Sequence, residues 1–162
     1  MDQARLAVLR AEVEKQLEAI ASIYARIEKR KRRASQAHLE SLGYQLHNLY
    51  CAFEDLFKIV ASTFENEVTN RTHYHTELLR RMTMTIEGVR PALLSEETYR
   101  LLDNLRSFRH LFRHAYAYEL DPRKLKLVLE SAMQLKTRYL KDVHGFLNSL
   151  QANDETPGCE RW

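Results

Sequence analysis

LESLGYQLHNLYCAFEDLFKIV, residues 39–60, is the stretch whose spacing decides the fold. Leu39, Leu42, Leu46, Leu49, Phe53, Leu56 and Val60 recur at intervals of three and four, which brings their side chains onto one face of an α-helix. Tyr50, Phe57 and, just downstream, Phe64 widen that face beyond the stripe of an ordinary surface helix. A helix this apolar needs several neighbours to cover it, which predicts a bundle with this element inside.

Upstream, Leu6, Leu9, Val13, Leu17, Ile20, Tyr24 and Ile27 form a narrower stripe, so a first long helix is expected from about Gln3 to the basic run at Arg26–Arg33. Downstream, the periodicity weakens between Asn66 and Pro91, leaving a short helical segment from about His73 to Met84. Ser95 followed by Glu96 and Glu97 has the composition of a helix start, and the fourth helix is expected to run through Leu101, Leu105, Phe108 and Phe112 to about Tyr118. Asp121-Pro122 supplies the next start. A fifth helix then carries Leu125, Val128, Ala132, Leu135, Tyr139, Val143, Phe146 and Leu150 and ends near Gln151. Residues 1–151 are thus expected to form one domain, with 152–162, a polar segment containing Pro157 and Gly158, as a disordered tail.

Composition agrees with an all-α protein. The 162 residues include four Gly and three Pro, and the chain is long enough for one core but not for two well-packed ones. No apolar stretch reaches membrane-spanning length and Met1–Arg10 lacks the apolar run of an export signal, so a soluble cytoplasmic protein is expected. Cys51 and Cys159 make neither a disulfide framework nor a zinc spacing and are expected as free thiols. The net charge of +3 is too mild to imply a nucleic-acid partner. Its distribution is more informative. Arg26, Lys29, Arg30, Lys31, Arg32 and Arg33 suit a helix C-terminus, where cations complement the dipole, with RNA contact as the alternative.

A second basic group lies in RSFRHLFRHAYAYELD, residues 106–121. On an ideal helix Arg106, Arg109, Arg113 and Tyr116 fall within about 80° of one another, while His110 and His114 border them at roughly 100° to 140° from Arg109. Guanidinium groups bind phosphate oxygens in pairs, and imidazole exchanges protons near neutral pH. RNA carries its own nucleophile, the 2'-hydroxyl, so such a strip could cleave a phosphodiester with no metal ligand and no cofactor. Arg109 and His114 lie roughly 140° apart on one ideal helix, which calls either for a distorted helix end or for a second subunit. His110 and His114 could be half of a zinc site, but no third ligand is suitably spaced.

RHLFRHAY, residues 109–116, resembles the R-x4-H-x-Y signature of the HepT branch of the HEPN ribonucleases. The resemblance extends to the helical plan from about residue 5 to 150 and implies an antiparallel HEPN-type bundle of about five helices that pairs as a homodimer, the two motif helices facing across a cleft. It further implies a metal-independent endoribonuclease toxin of a toxin–antitoxin pair. Arg109 and His114 would be catalytic, with His110, Arg106 and Arg113 supporting or contacting RNA. Such proteins are silenced by a MntA-type nucleotidyltransferase antitoxin that transfers AMP from ATP to the motif tyrosine, here Tyr116. The alternative is a non-catalytic helical partner or substrate-binding module of a nucleotidyltransferase.

Overall fold

Three short polar side chains start three of the helices. The structure, a computed structural model, describes residues 1–32, 35–65, 73–114 and 119–154. These form α1 (Gln3–Arg30), α2 (Gln36–Phe64), α3 (Tyr74–Arg81), α4 (Glu96–Arg113), α5 (Pro122–Lys136) and α6 (Tyr139–Asp154). Asp2 accepts from the Arg5 amide at 2.7 Å, Ser95 from Thr98 at 3.3 Å and Asp121 from Arg123 at 2.9 Å. Each satisfies an amide that the first turn leaves open, a contribution of about 1 kcal/mol. Among the described residues no strand is present, apart from an isolated bridge between Ile86 and Arg90.

The helices run antiparallel, and side-chain bonds record the register. Arg5 donates to the Thr63 carbonyl, Gln16 to Ala52 and Arg30 to the Ser41 hydroxyl, so residue numbers rise along α1 as they fall along α2. The same opposition joins α1 to the last two helices through Tyr24 to the Ala132 carbonyl at 2.9 Å and Arg10 to Gln151 at 3.1 Å. The apolar faces anticipated in α1 and α2 meet in one continuous core, with Ile20, Ile27, Leu46, Leu49, Phe53 and Leu56 fully enclosed. Tyr139 lies at its centre, stacked on Tyr24 at 5.9 Å and edge-on to Phe53 at 5.2 Å. Burial pushes the Tyr24 hydroxyl far above its ordinary titration range, which keeps it a neutral donor.

Four boundaries differ from expectation, the first being the end of α3, at Arg81 rather than near Met84. The final stripe, expected on one rod, is divided at Thr137–Arg138 into α5 and α6. No Gly or Pro marks the break; tertiary contacts do. Arg138 pairs with Glu97, and Asp142 accepts from both the amide and the hydroxyl of Ser95 at 2.8 Å. Those contacts hold the start of α6 against the start of α4, while Thr137 closes the end of α5 by donating to the Gln134 carbonyl at 2.9 Å. Helix α4 stops at Arg113 rather than near Tyr118. Helix α6 reaches Asp154, three residues past the expected end, and 155–162 lie outside the described residues, as does Cys159.

The segment between α3 and α4 is tied down by a buried ion pair. Ile86 and Arg90 exchange backbone hydrogen bonds around Gly88, whose φ of 73° is accessible to glycine without strain. This tight reversal turns Arg90 inward, where its side chain is 0% exposed. Its guanidinium meets Glu65 at 2.6 and 2.9 Å and also donates to the carbonyls of Arg81, Met84 and Pro91. Glu65, the cap of α2, pairs with Arg81 as well. Without Arg90, the buried Glu65 carboxylate keeps only the partly exposed Arg81, and three inward carbonyls lose their donor. Arg90→Leu is therefore expected to lower the unfolding free energy by about 3 kcal/mol or more. Urea titration reads this directly, and Arg80→Ala, which breaks an exposed pair with Glu77, serves as the near-neutral control.

Candidate active site

The end of α4 lies on α2 because Gly43 leaves room for it. A Cβ at that position would stand 3.0 Å from Leu120 Cδ1 and 3.1 Å from Phe112 Cε2, so the missing side chain lets both apolar groups settle against the α2 backbone. Phe112 also meets the His47 ring, centroids 5.5 Å apart, and the Phe108 ring at 5.8 Å. Leu105 and Phe108 are buried, as the spacing of the motif helix predicts. Arg109 and Arg113 are thereby held along its border with α2, near His47.

The cationic strip is less uniform than the wheel suggests. Asp103 accepts from the Arg106 Nε at 2.8 Å, so the first of the three guanidinium groups is paired and mostly covered. Arg109 is half-buried; its Nε is fully enclosed and has no hydrogen-bond partner. Arg113, the last residue of α4, is exposed. Among the described residues neither Arg109 nor Arg113 has a carboxylate partner. Among the described residues, two of the three positive charges thus have no carboxylate beside them.

His114 follows as the C-cap, with φ −104° and ψ 4° in place of helical values. It is exposed, and its Nδ1 lies 2.8 Å from the His110 carbonyl oxygen. That contact requires an N–H at Nδ1, which in the neutral ring leaves the lone pair on Nε2. The His110 ring packs beside it at 4.6 Å between centroids, so these two imidazoles are brought together. His114 and Arg109 are not in contact. Helix α4 terminates one residue before His114, a local departure from the ideal wheel that does not by itself bring the two side chains together. Tyr116 lies outside the described residues. Among those described, no third His, Cys, Asp or Glu joins the histidine pair to make a metal-binding group. The Arg26–Arg33 run is partly absorbed by structure: Arg30 donates to Ser41 at 2.7 Å and to the Arg26 carbonyl at 2.9 Å, and Lys31 pairs with Glu28 at 2.6 Å.

Helix α2 contributes polar groups that the motif alone does not reveal. His47 is half-buried, its Nδ1 enclosed without a partner and its Nε2 3.7 Å from the Cys51 sulfur. Burial first, then the positive charges of Arg109 and Arg113, hold its imidazole below the usual histidine range. Tyr50, one turn further along, is fully buried with its hydroxyl unpartnered; burial and the Glu54 carboxylate push its titration up, against the opposing pull of Arg106 and Arg109. A histidine and a cysteine four residues apart on the flank of the apolar face were the visible signal, and only the position of α4 gives them meaning.

The family model described as HepT-like protein matches residues 41–150, well over half of the chain, from the first turns of α2 to near the end of α6. No curated protein and no solved structure matches it. No helix among the described residues is long and apolar enough to cross a membrane.

Protonating His47 is more costly in the folded chain than in the unfolded one, because enclosure and two guanidinium groups oppose the added charge. Over the interval between its ordinary value of 6.5 and its lower folded value, the unfolded chain binds more protons, so stability falls as the pH drops through that window. His47→Phe keeps a ring against Phe112 and removes the titration. Urea unfolding at pH about 7.5 and about 5 is expected to show a larger loss for the wild type than for His47→Phe. Equal losses would mean that the groups on α4 do not oppose protonation of His47.

Proposed function

Because the chain belongs to the HepT-like family, we propose that it is the toxin of a toxin–antitoxin pair, a metal-independent endoribonuclease acting as a homodimer. The observation that carries this reading is the end of α4. There an exposed imidazole is fixed through Nδ1 to the His110 carbonyl, one turn beyond a half-buried arginine and beside a second, exposed one. This combination serves cleavage of RNA better than binding alone, since binding needs cations but not an oriented proton carrier.

In the proposed reaction, the ribose 2'-oxygen attacks the adjacent phosphorus and the bond to the 5'-oxygen breaks, leaving a 2',3'-cyclic phosphate and a 5'-hydroxyl. His114 acts at Nε2, taking the proton from the nucleophile or returning one to the leaving oxygen. Arg109 faces the non-bridging oxygens, where negative charge accumulates in the transition state, and Arg113 and His110 hold the flanking backbone. Two copies of α4, brought face to face, supply an arginine from one protomer near a histidine of the other, which answers their separation on a single helix. Transfer of AMP to Tyr116 by a MntA-type nucleotidyltransferase would add phosphate and bulk beside the cations and exclude RNA.

Expression of the wild-type chain is expected to arrest growth and degrade RNA in the presence of EDTA. Arg109→Ala and His114→Ala should abolish both effects; about 10²-fold or more is the loss for removing a group that stabilises the transition state or carries its proton. An equally toxic His114→Ala chain would refute the assignment, and association with a nucleotidyltransferase without RNA loss in any variant would favour the binding-module alternative. Mass spectrometry after co-expression with a MntA-type nucleotidyltransferase should find AMP on Tyr116. Its appearance on Tyr118 instead would relocate the switch.

A further inference from the structure

The α2–α4 border holds two enclosed polar atoms that complement one another. Arg109 Nε is an N–H donor with no acceptor, and His47 Nδ1 is a ring nitrogen with no partner. The arginine side chain is long enough to turn, whereas the imidazole is fixed by Phe112 on its face and by Cys51 at its far edge. Two cations on α4, Arg109 and Arg113, face the ring, and the nearby group of its own helix is the uncharged Cys51 thiol. In such a field the neutral ring directs its lone pair toward the guanidinium groups and its N–H toward the sulfur, a weak acceptor. That assignment places the lone pair on Nδ1 and the proton on Nε2.

We infer that His47 is a positioning residue of this site: its Nδ1 accepts a hydrogen bond from the Arg109 guanidinium and fixes the direction in which that group offers its remaining donors to a phosphate. The bond satisfies a buried donor and a buried acceptor together and displaces no existing contact of either atom. An arginine anchored at Nε presents both terminal nitrogens as a fork, the geometry that grips two oxygens of one phosphate. Unanchored, the same side chain samples several directions and loses entropy on each encounter. His47 needs no contact with substrate to act in this way. A competing acceptor on α2 is the Tyr50 hydroxyl, also enclosed and also within the field of Arg109.

The role of His47 in catalysis rests on the ribonuclease reading, but the pairing itself is measurable without activity. In long-range 1H–15N spectra of protein with labelled histidines, the His47 signals, identified by their loss in His47→Asn, are expected to show a neutral ring protonated at Nε2. Its Nδ1 should carry the shift of an accepted hydrogen bond, moving to the value of a free lone pair in Arg109→Leu and staying put in Tyr50→Phe. Protonation at Nδ1, or no response to Arg109→Leu, overturns the inference whether or not RNA is cut. In cleavage assays on variants matched for thermal unfolding, His47→Ala should lose about ten- to hundredfold in rate, the scale of a misdirected catalytic group. His47→Asn, whose side-chain oxygen can occupy the place of Nδ1, should recover most of it, while His47→Gln, which reaches to the place of Nε2, should not. Equal activity of the Asn and Gln variants overturns the positioning role. A wild-type chain that shows the Nδ1 bond but cuts no RNA sinks the proposed function and leaves the pairing in place.

Discussion

Helix α2 is apolar around so much of its circumference that the rest of the chain has to wrap it. Leu46, Leu49, Tyr50, Phe53, Leu56, Phe57 and Val60 are fully enclosed, and each large side chain left in water would cost about 1.5 to 3 kcal/mol. Together these losses would exceed the net stability of a typical domain. The antiparallel course of α1 along α2, the seating of α4 at Gly43 and the docking of α6 through Tyr139 all answer that one requirement. Where a charged residue of α2 is drawn inside, it brings a partner with it: Glu54 is met by His75 at 2.6 Å, which fastens α3 to the same wall.

The chemistry of the site follows from where this enclosure ends. At the border between α2 and α4 the apolar contact of Phe112 gives way to His47, Arg109 and Arg113, so the polar groups stand at the margin of a low-dielectric interior. Charges there act on one another more strongly than on an open surface. One arginine is spent on Asp103, one is half-enclosed, and one is open to solvent at the helix end. The gradation separates an arginine available for fixed orientation from one available for long-range attraction of an anion.

The main architecture was legible because periodicity reports burial, and burial is what α1 and α2 are made of. The starts at Ser95 and Asp121 were equally plain, since a capping side chain acts within three residues of its own position. The break at Thr137–Arg138 was not, because neither Gly nor Pro marks it; Glu97 and Ser95, some 40 positions away, hold the chain there. In the site, Arg109 and His114 stood out through the resemblance of residues 109–116 to the R-x4-H-x-Y signature, while their spacing on an ideal helix set them apart. The pairing of Arg106 with Asp103 is a three-residue contact that a count of arginines overlooks, and the end of α4 at Arg113 departs from a wheel that assumes a continuous helix. His47 stayed hidden for a different reason: its meaning depends on a neighbour more than 60 residues downstream.

The clasp between Ser95 and Asp142 ties the start of α4 to a residue made well after it. The motif lies at residues 109–116, yet the helix that carries it is fastened at its root by a carboxylate that leaves the ribosome some thirty residues afterwards. A nascent chain that has already emerged through the motif still lacks the bolt that orients it. Until Asp142 has been made, the start of α4 lacks the carboxylate that closes this clasp, so the seating of the motif helix waits on a contact supplied from well downstream of it.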